Sequence, residues 1–303
     1  MSDCIHKGEF SSLFYKRPFS RPLKAAWGTW AVRDGLILRH QDSATGSFVF
    51  SEIAPLPPAT PEIPLIPSIP SPTPAASPTA RTAALLSLSE STPEAVANLR
   101  EAGYRTFKLK VGLNKPDDEW DFLQKVVLSL KAGDKLRLDP NRSWDTGTWS
   151  FWKPRLNGIS QSIEFIEEPF KEQLSSDDML RQAESSPVPL ALDESLAGAG
   201  LVDWLDKGWT GYWVIKPTIL EDPEVWWKRL LDAKSRVVIS SVFETGIGLS
   251  SLIHLAQAFP ETDHGLRTQA FFDDDFGVPQ QGPVLNALTI EEQEDLWKRL
   301  PES

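Results

Sequence analysis

Charged residues recur at a nearly constant interval along the middle of the chain, each at or near the end of a short apolar run. They are Lys108, Lys110, Asp139, Glu167, Asp193 and Lys216. From Lys110 onward the steps are 29, 28, 26 and 23 residues. Lysines can transfer protons and carboxylates can hold a cation, so this series is typical of an active site. The pattern therefore indicates an enzyme.

The three acids of the series end three successive apolar runs. Asp139, Glu167 and Asp193 would supply three oxygen donors without histidine or cysteine, a set that suits a hard cation. We expect Mg²⁺ as the cofactor, with Mn²⁺ as the alternative. Taken singly, each acid has a structural alternative, such as a helix cap or an ion pair with a lysine. The predicted supporting residues behind these ligands are Glu168, Glu194 and Arg137.

Lys108 and Lys110 lie two residues apart, so on a strand both side chains point to the same face. Two neighbouring ammonium groups repel, and partial desolvation also disfavours charge, so we expect at least one lysine pKa to fall. A lysine with a pKa of roughly 7–8 could remove a proton at neutral pH. The alternative is a pair of exposed lysines on an edge strand. The acids that end the next three runs favour the catalytic interpretation.

Lys216 ends the run after Asp193 and is predicted to lie across the site from Lys110. Ser240 and Ser241 end the following run, and residues 244–248 predict the start of a helix. Hydroxyls and free amides at a helix N-terminus suit a substrate carboxylate. The same residues also fit a tight turn between a strand and a helix, so both interpretations stay open.

The interval between the charged residues predicts the elements that position them. A strand, a crossover helix and two loops fit it, because a parallel crossover takes about a dozen residues or more. Parallel strands with a charged residue at each carboxyl end are typical of a (β/α) barrel. We therefore predict an α/β protein with a cap at residues 1–85, a barrel at 86–280 and a C-terminal segment at 281–303 that returns to the cap.

The N-terminal region predicts antiparallel strands over residues 8–54. A turn at Arg33-Asp34-Gly35 is predicted between strands at 30–32 and 36–39. A second turn at Thr45-Gly46 leads to a strand at 48–52. Prolines are dense over residues 55–78, which predicts an extended segment. We interpret that segment as a crossing linker, with a recognition ligand for an aromatic groove as the alternative.

Helix ends are visible further along the chain. Ser91-Thr92-Pro93-Glu94 predicts a helix N-terminus, and Gly103 should end that helix. The remaining predicted elements are strands at 106–111, 135–139 and 237–240, a helix at 117–130, a last short strand from Phe271 onward, and a terminal helix at 290–299.

Composition and charge narrow the function classes. The chain has 303 residues, 41% hydrophobic and 24% charged, as in an ordinary globular protein. A net charge of −11 argues against nucleic acid or an anionic membrane as a partner. No apolar run approaches the ~20 residues of a membrane span, and the start lacks the order of a signal peptide, so we expect a cytoplasmic protein. The oligomeric state is left open, and a monomer is consistent with the sequence.

Cysteine and histidine contribute little to the expected chemistry. Cys4 is the single cysteine, which excludes an intrachain disulfide and a thiolate metal site. The four histidines show no ligand spacing, and His254 lies in an apolar run typical of a helix or core position. Acid–base work therefore falls to lysine and carboxylate.

The motifs around the charged residues resemble those of the enolase superfamily. Lys-x-Lys, Leu-Asp-x-Asn, Ile-Glu-Glu-Pro, Asp-Glu-Ser and Ile-Lys-Pro-Thr follow the order and spacing of its muconate-lactonizing subgroup. Longer strings at 137–144, 214–218 and 238–241 are similar to the o-succinylbenzoate synthase family. The resemblance covers roughly residues 20–280 and implies a (β/α)7β TIM-like barrel with an α+β capping domain. The proline-rich insert and the residues at 241–245, where serines are more usual, depart from the family pattern.

The resemblance implies a dehydration in quinone biosynthesis, for menaquinone or phylloquinone. A small-molecule carboxylate, 2-succinyl-6-hydroxy-2,4-cyclohexadiene-1-carboxylate, would become the aromatic o-succinylbenzoate. Lys110 would remove the proton next to the carboxylate and then protonate the departing hydroxyl in a syn elimination. As is general for enolase-superfamily sites, Mg²⁺ would neutralise the developing enediolate charge. Lys108 would tune Lys110, and Lys216 would stabilise the intermediate.

Substrate contacts are also implied. Residues 19–28 look like the family's mobile specificity loop, with an ordinary surface loop as the alternative. The candidate contacts are Arg21 and Trp27 for the succinyl arm, together with Asn141, Ser240 and Ser241.

Two other function classes compete with this one. A dipeptide or N-acylamino-acid epimerase would use Lys110 and Lys216 as opposed bases, and a lactonizing enzyme would use one of them. A non-enzymatic scaffold would bind a partner domain through the proline-rich segment, and it predicts no metal affinity at the strand ends.

Overall fold

The computed structural model describes residues 10–25, 28–42, 46–57, 78–86, 93–172, 174–197, 200–220, 223–233 and 236–300. Trp27, most of the predicted proline-rich segment and the predicted helix cap at Ser91-Thr92 lie outside these residues. Within the described ranges, every helix is too short or too polar to cross a bilayer.

Three antiparallel strands form the N-terminal sheet in the order β1-β2-β3. They are β1 (Phe10–Ala25), β2 (Gly28–Gln41) and β3 (Phe48–Ile53). Leu13, Tyr15, Arg17 and Phe19 alternate with exposed residues along β1 and are buried on one face. This period of two follows from the strand geometry, in which successive side chains point to opposite faces. The predicted antiparallel N-terminal region is confirmed.

The turn predicted at Arg33-Asp34-Gly35 is wrong, because β2 runs through these residues without interruption. Gly35 is paired with Tyr15, and a Cβ on Gly35 would lie only 2.5 Å from the Tyr15 hydroxyl oxygen. Glycine is therefore needed for close packing between strands and not for a turn. Of the second predicted turn, Thr45 lies outside the described residues, whereas Gly46 has a φ of +71° and its N–H donates to the Asp42 carbonyl at 2.7 Å.

A seven-stranded parallel sheet forms the centre of the molecule, in the order β11-β10-β9-β8-β7-β6-β5. Its strands are β5 (Ala84–Leu86), β6 (Thr106–Lys110), β7 (Lys135–Asp139), β8 (Ile163–Glu167), β9 (Leu190–Leu192), β10 (Tyr212–Ile215) and β11 (Val237–Ile239). Between and after them lie α1 (Pro93–Glu101), α2 (Pro116–Ser129), α3 (Thr146–Leu156), α4 (Ser176–Ser185), α5 (Gly200–Asp206), α6 (Pro223–Ala233) and α7 (Gly246–Ala256). The predicted α/β class with parallel strands is confirmed.

Each strand of this sheet divides its side chains between two faces. Phe107 and Leu109 of β6 are buried in the main apolar core together with residues of the surrounding helices. Lys108 and Lys110 alternate with them and therefore lie on the opposite face. Helices cover one face of the parallel sheet, and the charged residues collect on the other.

Residues 264–265 connect the two edges of the parallel sheet. His264 bridges Thr82 next to β5, and Gly265 bridges Ser240 after β11, both in parallel orientation. The Gly265 N–H donates to the Ile239 carbonyl at 2.8 Å, and the His264 N–H donates to the Arg81 carbonyl at 2.8 Å. A single two-residue segment thus hydrogen-bonds at both edges of the parallel sheet.

The C-terminal region forms a small antiparallel sheet and one helix. The sheet has the order β12-β13-β4, with β4 (Thr79–Arg81), β12 (Gln280–Gln281) and β13 (Val284–Asn286). The strand predicted from Phe271 onward is wrong, because Gln269–Phe271 is a 3₁₀ helix and pairing resumes at β12. The predicted terminal helix is present as α8 (Ile290–Arg299).

Helix α8 packs against the N-terminal sheet. Its Leu296 shares an apolar cluster with Leu13 and Phe50, and Glu294 pairs with Arg39 of β2 at 2.8 Å. A capping box of Thr289 and Glu292 fixes where the helix begins.

Candidate active site

The acids and lysines of the sequence series lie at the carboxyl ends of β6 to β10. Lys108 Nζ lies 2.9 Å from Asp139 Oδ2 and 2.8 Å from Glu167 Oε2. Lys108 stands on β6, whereas the acids stand on β7 and β8, so one ammonium group connects three strands. The alternative of edge-strand lysines is wrong, because β6 is paired on both sides, with β5 and with β7.

The cluster continues on the next two strands. Lys216 follows β10 and donates to Asp193 Oδ2 at 2.6 Å. Asp193, which follows β9, is 7% exposed, and Glu167 is 3% exposed. The Glu167 and Asp193 carboxyl groups are also neighbours, and the charge of Asp193 raises the pKa of Glu167. Three carboxyl groups and two ammonium groups thus converge on one face of the sheet.

Burial has the largest influence on the pKa values of the acids in this cluster. Together with the charges of Asp139 and Asp193 it outweighs Lys108 and raises the pKa of Glu167 to about 8. Burial also raises the pKa of Asp193. Burial opposes ionisation of Asp139 as well, but the nearby lysines, led by Lys108, hold its pKa below the ordinary value. An additional cation would therefore be accepted readily by these carboxylates.

The pKa values of Lys108 and Lys216 are raised, whereas a fall was predicted for at least one of Lys108 and Lys110. Burial alone would lower the pKa of Lys108, but Asp139, Glu167 and Asp193 outweigh it and raise the pKa well above its usual range. The pKa of Lys216 is likewise raised, because Asp193 and the neighbouring acids outweigh burial. The predicted fall in pKa is wrong for Lys108, which the acids keep charged.

Lys110 takes part in a different set of contacts. Its Nζ donates to Asn141 Oδ1 at 3.1 Å, and the Asn141 amide donates to Glu194 Oε1 at 3.3 Å. Asn141 has a left-handed φ of +50°, and its backbone N–H donates to Asp139 Oδ1 at 3.0 Å. One neutral amide therefore links the lysine of β6 with the acid that follows Asp193.

Glu168 supports the backbone of the site. Its Oε1 accepts from the Asp193 N–H at 3.1 Å and from the Ser195 N–H at 2.9 Å. Glu168 therefore contacts backbone amides of the loop after β9, and its Oε2 lies 3.6 Å from Arg142 Nε. These bonds hold the start of the loop that carries Asp193.

Arg137 does not bond to Asp139, Glu167 or Asp193. It donates to Glu164 Oε2 at 2.7 Å and to the Asp263 carbonyl at 2.6 Å, and its guanidinium lies 4.9 Å from the centre of the Phe165 ring. Arg137 is 2% exposed. Its charge is therefore compensated by Glu164, which makes it a buried structural pair.

The predicted substrate contacts fall into four groups. Asn141 lies in the cluster, as described. Ser241 is turned away, since its hydroxyl donates to Glu244 Oε2 at 2.5 Å, whereas Ser240 Oγ lies 3.5 Å from the Gly265 carbonyl. Arg21 is exposed in the irregular part of the β1–β2 pairing and forms no ion pair with the described part of the chain. Trp27 lies outside the described residues.

The N-terminus of α7 holds a carboxylate, but one from the protein itself. Glu52 of β3 accepts from the N–H groups of Thr245 and Gly248 at 3.0 and 3.1 Å. Of the two interpretations left open for residues 244–248, a substrate carboxylate on these amides is excluded by this contact. The available signal was Glu52 itself, an acid at the end of the strand predicted at residues 48–52.

Glu119 is a second functional residue that the sequence interpretation missed. It accepts from the N–H groups of Gly112 and Leu113 at 2.7 Å and of Asn114 at 2.9 Å. These residues follow Lys110 directly, so Glu119 fixes the loop at the end of β6. An acid in the first turn of α2, after Pro116, was the available signal.

A small cleft of about 80 Å³ opens beside Lys216. It is lined by apolar residues of the loops around β9 and β10, by Leu56 from the segment after β3, and by the charged groups of the cluster. The lining residues are Leu56, Asp193, Glu194, Leu196, Ala197, Val214, Lys216, Ile219 and Leu220. An apolar cleft with a few convergent charges is a typical small-molecule site.

The three carboxyl groups suit a hard divalent cation. In the described residues no three acidic, histidine or cysteine side chains are already arranged as metal ligands. The Lys108 and Lys216 ammonium groups contact the carboxylates instead. Oxygen donors from three adjacent strands, with the crowding that raises the pKa of Glu167, fit such an ion in charge and in chemistry.

Comparison with known proteins supports these observations. Residues 91–287 match the family model of the enolase C-terminal domain-like proteins. An o-succinylbenzoate synthase of Thermosynechococcus vestitus is 32% identical, over 94% of this chain and 97% of that protein. The crystal structure of o-succinylbenzoate synthase from Thermosynechococcus elongatus BP-1, complexed with Mg in the active site, superposes with a TM-score of 0.78 at 27% identity, covering 96% and 99% of the two chains.

More distant structures share the fold alone. An L-Ala-D/L-Glu epimerase of Bacillus subtilis superposes with a TM-score of 0.67 at 16% identity, over 92% of this chain and 96% of the other. At this identity the similarity does not distinguish between reactions.

Proposed function

The chain belongs to the enolase C-terminal domain-like family, and we propose that it is an Mg²⁺-dependent enzyme with the activity of the o-succinylbenzoate synthases. Its substrate would be a small-molecule carboxylate, 2-succinyl-6-hydroxy-2,4-cyclohexadiene-1-carboxylate, and its product o-succinylbenzoate and water. The relative of that name, matched over nearly the whole of both chains, supports this proposal. The pathway would be the synthesis of menaquinone or phylloquinone.

The proposal includes the architecture of the active form. We infer a closed (β/α)7β TIM-like barrel under an α+β cap, with domain limits at residues 85 and 280. The parallel bridges of His264 with Thr82 and of Gly265 with Ser240 support the closure. A closed sheet would place Lys110 of β6 across from Lys216 after β10.

One observation carries the function. Asp139, Glu167 and Asp193 end three adjacent strands, and a lysine ammonium group contacts them on each flank, from β6 and from β10. A site for abstracting a proton next to a carboxylate needs a base, a cation and a further positive charge near the reacting atoms. This cluster contains the groups for all three tasks.

Asp139, Glu167 and Asp193 would hold the metal ion. When bound, Mg²⁺ supplies a Lewis acid that stabilises the negative charge developing on the substrate carboxylate. Mn²⁺ offers the same oxygen-ligand chemistry and is the alternative ion. Glu168 supports this ligand set by fixing the backbone N–H of Asp193.

Lys110 would be the base and then the acid. Its amine takes the proton from C1, the C1–H electron pair forms the new ring double bond to C6, and the C6–O bond breaks. The Lys110 ammonium then returns the same proton to the departing hydroxyl, which leaves as water. Lys110 hydrogen-bonds the neutral Asn141 at 3.1 Å and forms no ion pair with the described carboxylates.

Lys108 and Lys216 would act as fixed positive charges. Lys108 is held between Asp139 and Glu167, and Lys216 is bound to Asp193, so both side chains remain ammonium groups near the substrate carboxylate and ring. This asymmetry favours a single base. An epimerase with two opposed bases would need Lys216 to lose its proton as well, which its raised pKa opposes.

The test is incubation with the cyclohexadiene substrate and Mg²⁺, followed by the ultraviolet change of aromatisation. The proposal predicts turnover that a chelator abolishes and added Mg²⁺ restores. An N-acylamino acid or dipeptide in deuterated water is the comparison substrate. Inversion with deuterium incorporation there, without aromatisation of the diene, would favour the epimerase.

A further inference from the structure

Glu52 connects the N-terminal sheet to the first turn of α7. Its carboxylate, 8% exposed, accepts from the Tyr15 hydroxyl at 2.6 Å, from the Thr245 N–H at 3.0 Å and from the Gly248 N–H at 3.1 Å. The Thr245 hydroxyl donates to the same carboxylate. All four groups donate to this carboxylate, which lies at the positive end of a helix.

The helix is shaped to receive this side chain. A Cβ at Gly248 would lie 2.7 Å from the Glu244 Cβ and 2.9 Å from Glu52 Oε2, closer than a real Cβ approaches either atom. Glycine at this position therefore lets the carboxylate reach the helix backbone. The contact joins residues 193 and 196 positions apart in the sequence, between the N-terminal sheet and helix α7.

The segment before α7 is attached to the N-terminal sheet at a second point. Phe243 has a left-handed φ of +71°, which is costly for a bulky residue. Its ring packs edge-on against Phe19 at 5.2 Å and against Trp30 at 5.5 Å. The loop that follows β11 is thus held by the N-terminal sheet through an aromatic cluster as well as through Glu52.

The segment that follows β3 reaches the cleft. Four residues after Glu52, Leu56 lines the cleft together with Lys216. Arg33 holds this stretch, since its guanidinium donates to the carbonyl of Pro55 at 2.7 Å and to that of Ala54. A displacement of Glu52 relative to α7 would therefore move one wall of the cleft relative to the other.

We propose that Glu52 is a positioning residue that seats the N-terminal sheet on α7 and so sets the width of the substrate cleft. The proposal rests on the proposed function for the nature of the substrate. The hydrogen bonds of Glu52 in the described residues go to Tyr15, Thr245 and Gly248, and none goes to the acids or lysines of the cluster. Its loss should weaken substrate binding and leave proton transfer and Mg²⁺ binding in place.

The test is Glu52→Gln in the full-length protein. The amide keeps the shape but replaces one acceptor by a donor that faces other donors. Because the change affects ground-state binding, we expect KM to rise about tenfold with kcat within about threefold of the unchanged enzyme. In the absence of substrate, amide hydrogen exchange at Thr245 and Gly248 should accelerate at least about tenfold.

The matched control is Glu294→Gln, which breaks the contact between α8 and Arg39 of the same sheet without touching α7. It should leave KM and the exchange of the α7 amides unchanged. Tyr15→Phe removes one of the donors to Glu52 and is the milder variant should Glu52→Gln fail to fold. We expect it to raise KM about two- to threefold, in the same direction.

Unchanged KM together with unchanged exchange in Glu52→Gln would overturn the proposal. So would a loss confined to kcat, or an equal rise of KM in the Glu294 control. The exchange measurement needs no substrate. It therefore still decides the seating of α7 if the dehydration itself is not found, and the failure of either proposal can be recognised separately.

Discussion

The Lys108 ammonium group donates to Glu167 at 2.8 Å although β7 lies between their strands. Both side chains point to the same face of the sheet, and Asp139 of β7 lies between them. This relationship explains why the acids crowd together and why Lys108 stays charged. It also determines how the site should respond to pH and to a metal ion.

Mg²⁺ binding should strengthen as the pH rises from about 6.5 to about 8.5. The pKa of the Glu167 carboxyl is raised to about 8 in the metal-free protein, so below that pH a proton competes with the cation. Since binding favours the deprotonated form, the apparent affinity should increase by up to about tenfold per pH unit and level off above about pH 8. Calorimetry in two buffers with different ionisation enthalpies measures both affinity and proton release. An affinity independent of pH, without proton release, would contradict this arrangement of the acids.

Asn141→Ala should lower kcat by roughly 10- to 100-fold, because Lys110 loses the hydrogen bond that orients its amine. Mg²⁺ affinity should change little, since Asn141 contributes no carboxylate. The comparison is Asn157→Ala, an exposed asparagine after α3, which should behave like the unchanged protein. Steady-state kinetics on both variants is the measurement, and an unaltered kcat in Asn141→Ala would remove the orienting role.

Glu164→Ala should destabilise the fold without affecting the active site. The change leaves the Arg137 guanidinium buried and unpaired, which costs about 3–5 kcal/mol in comparable buried pairs. The exposed pair of Arg229 and Asp206 is the control, and its removal should cost less than about 1 kcal/mol. Urea denaturation gives the free energies of unfolding. If Glu164→Ala instead abolished Mg²⁺ binding at nearly unchanged stability, Arg137 would belong to the site after all.

The fold should lose stability on acidification through His264. Burial, with Arg137 nearby, lowers the pKa of His264 to about 4, whereas an unfolded histidine titrates near about 6.5. Between these pH values the unfolded chain binds more protons than the folded protein. The free energy of unfolding is therefore unaffected by His264 above about pH 6.5 and falls by about 3 kcal/mol as the pH is lowered to 4. Urea denaturation at several pH values follows this loss. In His264→Asn the free energy of unfolding should depend less steeply on pH. An equally steep dependence in that variant would show that other titratable groups cause the loss of stability.

Much of the site could be predicted from local sequence. Each of Asp139, Glu167 and Lys216 directly ends or follows an apolar run, and the period of those runs gives the order of the strands. Because parallel strands present their carboxyl ends at one edge, spacing alone predicts that these side chains meet. The terminal helix was predicted for the same kind of local reason, since Thr289 and Glu292 form its capping box.

The features that were missed depend on contacts between distant parts of the chain. Gly35 looks like a turn residue, but it serves the packing of Tyr15 on the neighbouring strand. Glu52 of β3 contacts the start of α7, which lies more than 190 residues later in the chain. The direction of the Lys108 pKa depends on the distances to Asp139 and Glu167, and these become known when the strands are assembled.

The most direct test of the account is the rate of aromatisation by Lys110→Ala with saturating Mg²⁺ and the cyclohexadiene substrate. Loss of the general base should reduce kcat by at least about 10²- to 10⁴-fold while Mg²⁺ affinity, measured by calorimetry, stays nearly unchanged. A Lys110→Ala protein that still aromatises the substrate at the rate of the unchanged enzyme would contradict the proposed mechanism.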